Sequence, residues 1–161
     1  MAQESRWSWL MSAFLEQVGG VSGVQTAEPD DGLTFEHDGL MLRMIPHPEQ
    51  PWLMLSVEIL ALDPVFDEQI NRERLHLLHQ LNAVSYFDQR AMAVVTPSDL
   101  LVLCAHLDLR ALEPQELIEQ VNTMVERAKL LRDSWGQLGR LLRQDTVESL
   151  SADQDITPTF V

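Results

Sequence analysis

Three side chains of this sequence have types and a spacing that could bind a metal ion. Glu73, His76 and His79 follow one another at intervals of three residues within a predicted helix, and imidazole nitrogens with a carboxylate oxygen are common zinc ligands. The surrounding residues lack the His-Glu-x-x-His pattern of zinc hydrolases, so a polar helix face toward solvent or a partner is the simpler interpretation. We therefore expect no metal site, and only zinc binding would support the alternative of a small metal-dependent enzyme.

A second chemical candidate is Cys104, the only cysteine, which excludes an internal disulfide. It lies in the apolar run 100–107, a position that predicts a buried and unreactive thiol. His106 should point to the same side of a strand, but a nucleophilic thiol needs an electropositive, partly exposed setting. The sequence also contains no glycine-rich phosphate loop and no Gly-x-Ser-x-Gly motif. These features predict a protein without catalytic activity and without a cofactor.

Composition restricts the possible partners. The chain has 161 residues, of which 45% are hydrophobic and 22% charged, and this is the composition of one globular domain with no membrane-spanning segment. Its formal net charge of −14 repels nucleic acid and anionic lipid. The first 14 residues lack the basic segment and cleavage site of a signal peptide. We therefore expect a cytoplasmic protein that inserts in no membrane and binds no nucleic acid.

Three helices are predicted from apolar residues that recur at helical spacing. The first is Ser5–Val18, the second covers about Val65–Val84, and the third, Pro114–Leu142, has the longest amphipathic pattern. From Gln144 onward the periodicity ends and polar residues dominate. Residues 1–143 are thus expected to form a single domain and residues 144–161 an acidic, disordered tail.

Five strands are predicted between these helices. The pair Asp38-Gly39 is a strong signal for a tight hairpin between the first two strands, and residues 19–32 are expected to be a loop. The element order is then α-β-β-β-α-β-β-α, an α+β fold with an antiparallel sheet. The strands are Leu33–Asp38, Leu40–Ile45, Trp52–Ile59, Tyr86–Val95 and Leu100–Leu109.

The second and third strands are apolar on both faces, whereas a half-buried strand normally alternates apolar and polar residues. One face carries only apolar residues, and the other mixes Arg43, Ser56 and Glu58 with large apolar side chains. Either the first helix, a partner subunit or a bound chain must cover this second face. Its large apolar residues are Met41, Ile45, Trp52 and Met54.

In this order of elements the chain resembles the class I type III secretion chaperones, the Tir chaperone family. The resemblance covers about Ser5 to Leu142 and includes Leu77-Leu78-His79-Gln80-Leu81-Asn82 at the end of the second helix. It also includes the link from Val57 to Pro64 and Trp135 late in the last helix.

The resemblance implies a homodimeric chaperone that binds the N-terminal region of a secreted effector in extended form and keeps it competent for export. It also implies that the chaperone helps to present the effector to the secretion apparatus. Capture of apolar anchors in a groove, with strand addition at a sheet edge, is the physical mode expected. A cytosolic binding or regulatory domain of the same fold, unrelated to secretion, is the alternative. The expected groove residues are Met41, Ile45, Trp52 and Met54, with Trp7 and Trp9 at the flank. The expected dimer contacts are Leu75, Leu78, Tyr86, Asp88, Arg90 and Met92.

Overall fold

A computed structural model describes residues 5–18, 22–26, 32–62, 68–88 and 91–152 of the chain. The first helix, α1 (Arg6–Gln17), starts after Ser5, whose hydroxyl accepts a hydrogen bond from the Ser8 backbone N–H at 3.2 Å. Its apolar stripe faces inward, and Trp7, Leu10 and Phe14 are buried. This helix confirms the prediction from periodicity to within one residue at each end.

Six antiparallel strands form one sheet in the order β1-β2-β3-β4-β6-β5. The pairs β2/β3, β3/β4 and β5/β6 are joined by short connections, and β6 lies between β4 and β5. The strands are β1 (Ser22–Thr26), β2 (Leu33–His37), β3 (Leu40–Pro46), β4 (Trp52–Ala61), β5 (Ala91–Val95) and β6 (Leu100–Asp108).

The turn between β2 and β3 lies where the sequence predicted it. Asp38 and Gly39 both have positive φ, at 57° and 74°, which is the combination that a tight hairpin turn requires. The strand β1 was not predicted, because residues 19–32 read as a loop. It pairs with β2 through a register shift between Ser22 and Gln25, and its glycine and polar residues hide the alternation that marks a strand.

The second helix, α2 (Glu68–Asp88), continues four residues beyond the predicted end, so Tyr86 is helical and the following strand begins at Ala91. The prediction that a strand starts at Tyr86 was therefore wrong. Residues 84–87 contain valine, tyrosine and phenylalanine, which favour strands by propensity. Propensity is a weak signal beside the continuing hydrogen bonds of a helix that has already formed.

The third helix, α3 (Pro114–Ala152), begins with a proline, which suits the first turn because no backbone N–H is needed there. Its predicted inward positions are confirmed from Leu117 to Trp135. The helical backbone continues to Ala152, past the predicted end at Leu142. The division into a domain and a disordered tail stays a prediction for 153–161, which lie outside the described residues.

One face of the sheet forms the core with α1 and α3. Phe14 of α1 packs on Phe35 of β2 with 5.4 Å between ring centroids, and both side chains are fully buried. Hydrogen bonds link the helices to neighbouring segments at the edges of this core. The Arg6 guanidinium donates to the backbone oxygens of Leu109 and Leu112.

A second set of polar contacts holds α3. Arg132 donates to the backbone oxygen of Ile59 at 3.0 Å, and Lys129 binds Asp38 in the hairpin turn at 2.6 Å. The Lys129 ammonium lowers the pKa of the Asp38 carboxyl through their hydrogen bond. The only lysine of the sequence thus links the last helix to the β2–β3 turn.

Candidate partner-binding surface

The sheet has a second face that the helices of the described chain leave largely exposed. In β4 the inward residues Leu53, Leu55 and Val57 have 0% exposure, whereas Trp52 on the other side is 47% exposed. Ile45 in β3 is 38% exposed on that same side. We call this second side the open face. It is the face that the mixed strand pattern singled out in the sequence.

Strand register divides the open face into two apolar patches. Arg43 lies opposite Ser56 across β3 and β4, and Ser56 lies opposite Cys104 of β6. The Arg43 guanidinium also forms an ion pair with Glu58 at 3.1 Å. These charged and polar side chains lie on β3 and β4, so the apolar residues of the open face form two areas that adjoin on β6, where His106 and Cys104 are two residues apart.

The first area, which we call the Trp52 patch, consists of Ile45, Trp52, Met54 and His106. Ile45 pairs with Met54, and Met54 pairs with His106. The Trp52 indole meets the His106 imidazole edge to face at 5.7 Å between centroids, an arrangement that aromatic rings favour. The patch is therefore a continuous, partly pre-ordered apolar surface.

The second area, which we call the Met92 patch, consists of Met92, Val94, Val102 and Cys104 on β5 and β6. Met92 pairs with Cys104 and Val94 with Val102, and Met92 is 49% exposed. Desolvation raises the pKa of the Cys104 thiol above its usual range. The thiol is therefore protonated at neutral pH, as expected for an unreactive cysteine.

The structure brings together three of the six residues predicted for the groove, namely Ile45, Trp52 and Met54. Trp7 is only 4% exposed and belongs to the core, but its edge and Ile45 both line a hollow of about 750 Å³ beside Arg6 and Pro48. The helical stripe of α1 already predicted that Trp7 faces inward.

The other two predicted groove residues lie elsewhere. Met41 is on the open face beyond Arg43, where it lines a separate hollow of about 430 Å³ with Glu36 and Glu58. Trp9 is 40% exposed on α1 and lies under the Arg6 guanidinium, 5.1 Å from the ring centroid. Met41 is separated from the Trp52 patch by Arg43, which lies between Met41 and Ile45 on the same side of β3.

The residues predicted for the dimer contact are found on α2 and β5. Leu75 is 53% exposed and Leu78 is partly buried against the core, while Met92 belongs to the patch described above. Tyr86 and Asp88 are in α2, but their side chains lie outside the described residues, as does Arg90 entirely. Val94, which is 36% exposed, was not predicted as a surface contact, and its pairing with the buried Val102 across β5 and β6 is the signal that identifies it.

The candidate metal ligands Glu73, His76 and His79 lie on α2 and pair locally. The Gln69 amide donates to Glu73 at 3.2 Å, and the His76 ring contacts the Gln80 amide at 3.0 Å. Within the described part of the chain no group of three or more potential ligands is close enough to hold a metal ion. Those residues also include no helix that is long and apolar enough to cross a membrane.

An antiparallel sheet with helices on one face and apolar patches on the other defines a protein that binds other polypeptides. A model of the Tir chaperone protein (CesT) family matches residues 8–132, and the chain belongs to this family. The resemblance is thereby confirmed, and the predicted order of elements is confirmed with the one additional strand β1. No curated protein matches the chain.

Two solved structures have a similar fold. The structure of the ExsC–ExsE complex matches with a TM-score of 0.65 and 15% identity, and the match covers 83% of this chain and 96% of that one. The Yersinia pestis type III secretion chaperone SycH, in complex with a stable fragment of YscM2, matches with a TM-score of 0.55 and 17% identity. That match covers 76% of this chain and 96% of SycH.

Proposed function

We propose that this protein is a cytoplasmic type III secretion chaperone that binds the N-terminal region of a secreted effector in extended form and keeps it competent for export. The observation that carries the proposal is the Trp52 patch, in which Ile45 and Trp52 are 38% and 47% exposed on the sheet face that the described helices leave open. Contiguous exposed apolar surface on a soluble domain marks an interaction site. Family membership favours a secreted cargo over a regulatory domain unrelated to secretion.

The mechanism is binding without chemistry. An extended segment places alternate side chains on one side, so two or three of its apolar residues can contact the Trp52 patch together. Methionine adapts its shape to varied neighbours, which suits a surface that contains Met54. The net charge of −14 attracts cationic cargo segments and keeps the exposed patches from associating nonspecifically. The protein thus shields apolar cargo side chains from aggregation, and no catalytic group takes part.

The experiment that tests this function is a pull-down from the cytosol of the native host, followed by mass spectrometry. We expect the captured partner to be a secreted protein that binds through its N-terminal region, and deletion of that region should abolish capture. Capture of proteins that are never secreted would instead favour the regulatory alternative. A variant with a charge on the Trp52 patch serves as the matched control for nonspecific capture.

We further propose that the Met92 patch and Leu75 form the contact between two copies of the chain. Met92, Val94 and Leu75 are each at least 36% exposed, and α2 packs beside β5, so they can contribute to one surface. Burying apolar area of this kind in water stabilises association by about 25 cal/mol per Å² before ordering costs. This surface adjoins the cargo patch on β6, where Cys104 and His106 are two residues apart.

The dimer prediction is tested by Met92→Asp. A carboxylate in the centre of the contact would have to be desolvated, so the variant should be monomeric by light scattering where the unaltered protein is a dimer. Thiol labelling of the adjacent Cys104 should become faster in the variant, because the partner no longer covers it. Leu130→Asp, at a position on α3 that is 67% exposed and outside both patches, is the control and should remain dimeric. A monomeric unaltered protein would contradict the proposal.

A further inference from the structure

One edge of the sheet is closed by a single side chain. Among the described residues the strand β5 pairs only with β6 and is therefore an edge strand. In an antiparallel pair, alternate residues direct both backbone polar groups away from the neighbouring strand. Ala93 is such a residue in β5, and its outward groups would otherwise offer a site for strand addition.

The Asn82 side chain of α2 occupies both of those groups. Its amide N–H donates to the Ala93 carbonyl at 2.8 Å, and its amide oxygen accepts from the Ala93 N–H at 2.8 Å. A carboxamide carries one donor and one acceptor side by side, as a peptide group does. Asn82 thus takes the place that a residue of a seventh strand would have.

The surrounding side chains are consistent with this closure. Ala91 and Ala93 are both 3% exposed, and their small size lets α2 approach the edge of β5. Leu77 and Leu78 of α2 pack against the core at the same place. By contrast, Met92 points to the open face and is 49% exposed. The outward main-chain groups of Ala93 are therefore occupied, while the Met92 side chain on the open face remains accessible.

We propose that Asn82 closes the β5 edge to strand addition, so that a second copy of the chain can contact β5 only through side chains such as Met92. Removal of the Asn82 amide opens Ala93 to a β5 strand from another copy.

The test compares Asn82→Ala with Gln80→Ala, an exposed position on the same helix. In Asn82→Ala we expect the Ala93 amide to exchange with solvent about tenfold faster, with the Leu103 amide unchanged. We also expect species larger than the unaltered protein by light scattering, growing with concentration. Gln80→Ala should change neither quantity. Equal exchange of the Ala93 amide in the variant and the unaltered protein, or equal acceleration at Leu103, would overturn the proposal.

Asn82→Asp provides an independent arm if the alanine variant does not fold. Its carboxylate still accepts from the Ala93 N–H but cannot donate to the Ala93 carbonyl. Repulsion between that carboxylate and the Ala93 carbonyl should weaken the contact, so the Ala93 amide should exchange faster than in the unaltered protein while the Leu103 amide stays unchanged. Unchanged exchange at Ala93 would refute edge closure. Both measurements use the protein without cargo. If the chain bound no effector, the proposed function would be refuted, but the result of the Asn82 experiment would remain valid.

Discussion

Replacing Trp52 by aspartate is expected to lower the affinity for an effector segment by about a hundredfold or more, which corresponds to roughly 3 kcal/mol. Trp52 is the most exposed large side chain of the Trp52 patch, and its contact with His106 already fixes the ring. A bound apolar residue would bury the indole, so the substitution removes that contact. It also forces a carboxylate to lose water in the complex.

The same substitution should leave the fold intact. The indole is 47% exposed in the absence of a partner, whereas its neighbour Leu53 is fully buried and carries the packing of that strand end. We expect the circular dichroism spectrum and the melting temperature to stay near those of the unaltered protein. Binding is measured by titration calorimetry with the effector region found by pull-down.

Leu130→Asp is the matched control for the Trp52 variant. Leu130 is 67% exposed on α3 and is not part of either patch. The Leu130→Asp substitution introduces the same charge on a surface outside the proposed binding site. The affinity of this variant for the effector should therefore equal that of the unaltered protein. If Trp52→Asp unfolds, Trp52 supports the core and the patch is misassigned. If it folds and binds normally, the cargo contacts another surface.

The elements that the sequence predicted best are those in which local periodicity and burial agree. Trp7 and Phe14 lie two helical turns apart on the same face of α1, and both side chains are buried. The pair Asp38-Gly39 predicted the hairpin turn correctly because positive φ at two successive residues is a strictly local requirement. In both cases a few neighbouring residues contain all the information, so no long-range contact had to be known.

What the sequence could not resolve depends on pairing between distant residues. Met41 and Ile45 are both on the open-face side of β3, but Arg43 lies between them and forms an ion pair with Glu58 of the neighbouring strand. Val94 and Val102 form part of a patch only because β5 and β6 align them. The end of α2 is similarly nonlocal, since the Asn82 amide binds a strand that begins after the helix. Sequence patterns identified the open face but not its division.

The largest effect on stability is expected for Phe35→Ala, which should lower the free energy of unfolding by about 3–5 kcal/mol. Phe35 is fully buried, and its ring lies 5.4 Å from that of Phe14, so the change leaves a cavity where α1 meets the sheet. Urea denaturation monitored by circular dichroism measures the loss. Phe14→Ala should have a comparable effect for the same reason.

A double-mutant cycle on the two phenylalanines separates the ring contact from the cavities. If the rings interact directly, the double variant should be less destabilised than the sum of the single variants by about 0.5–1.5 kcal/mol.

Trp9→Ala is the control, because it removes an aromatic ring from the same helix but the ring is 40% exposed. Its cost should be at most about 1 kcal/mol, mainly from the lost contact with Arg6. If Phe35→Ala lowers the free energy of unfolding by less than about 1 kcal/mol, α1 does not depend on the contact between Phe14 and Phe35. Because α1 covers only the core side of the sheet, any variant of the pair that remains folded should retain effector binding at the Trp52 patch.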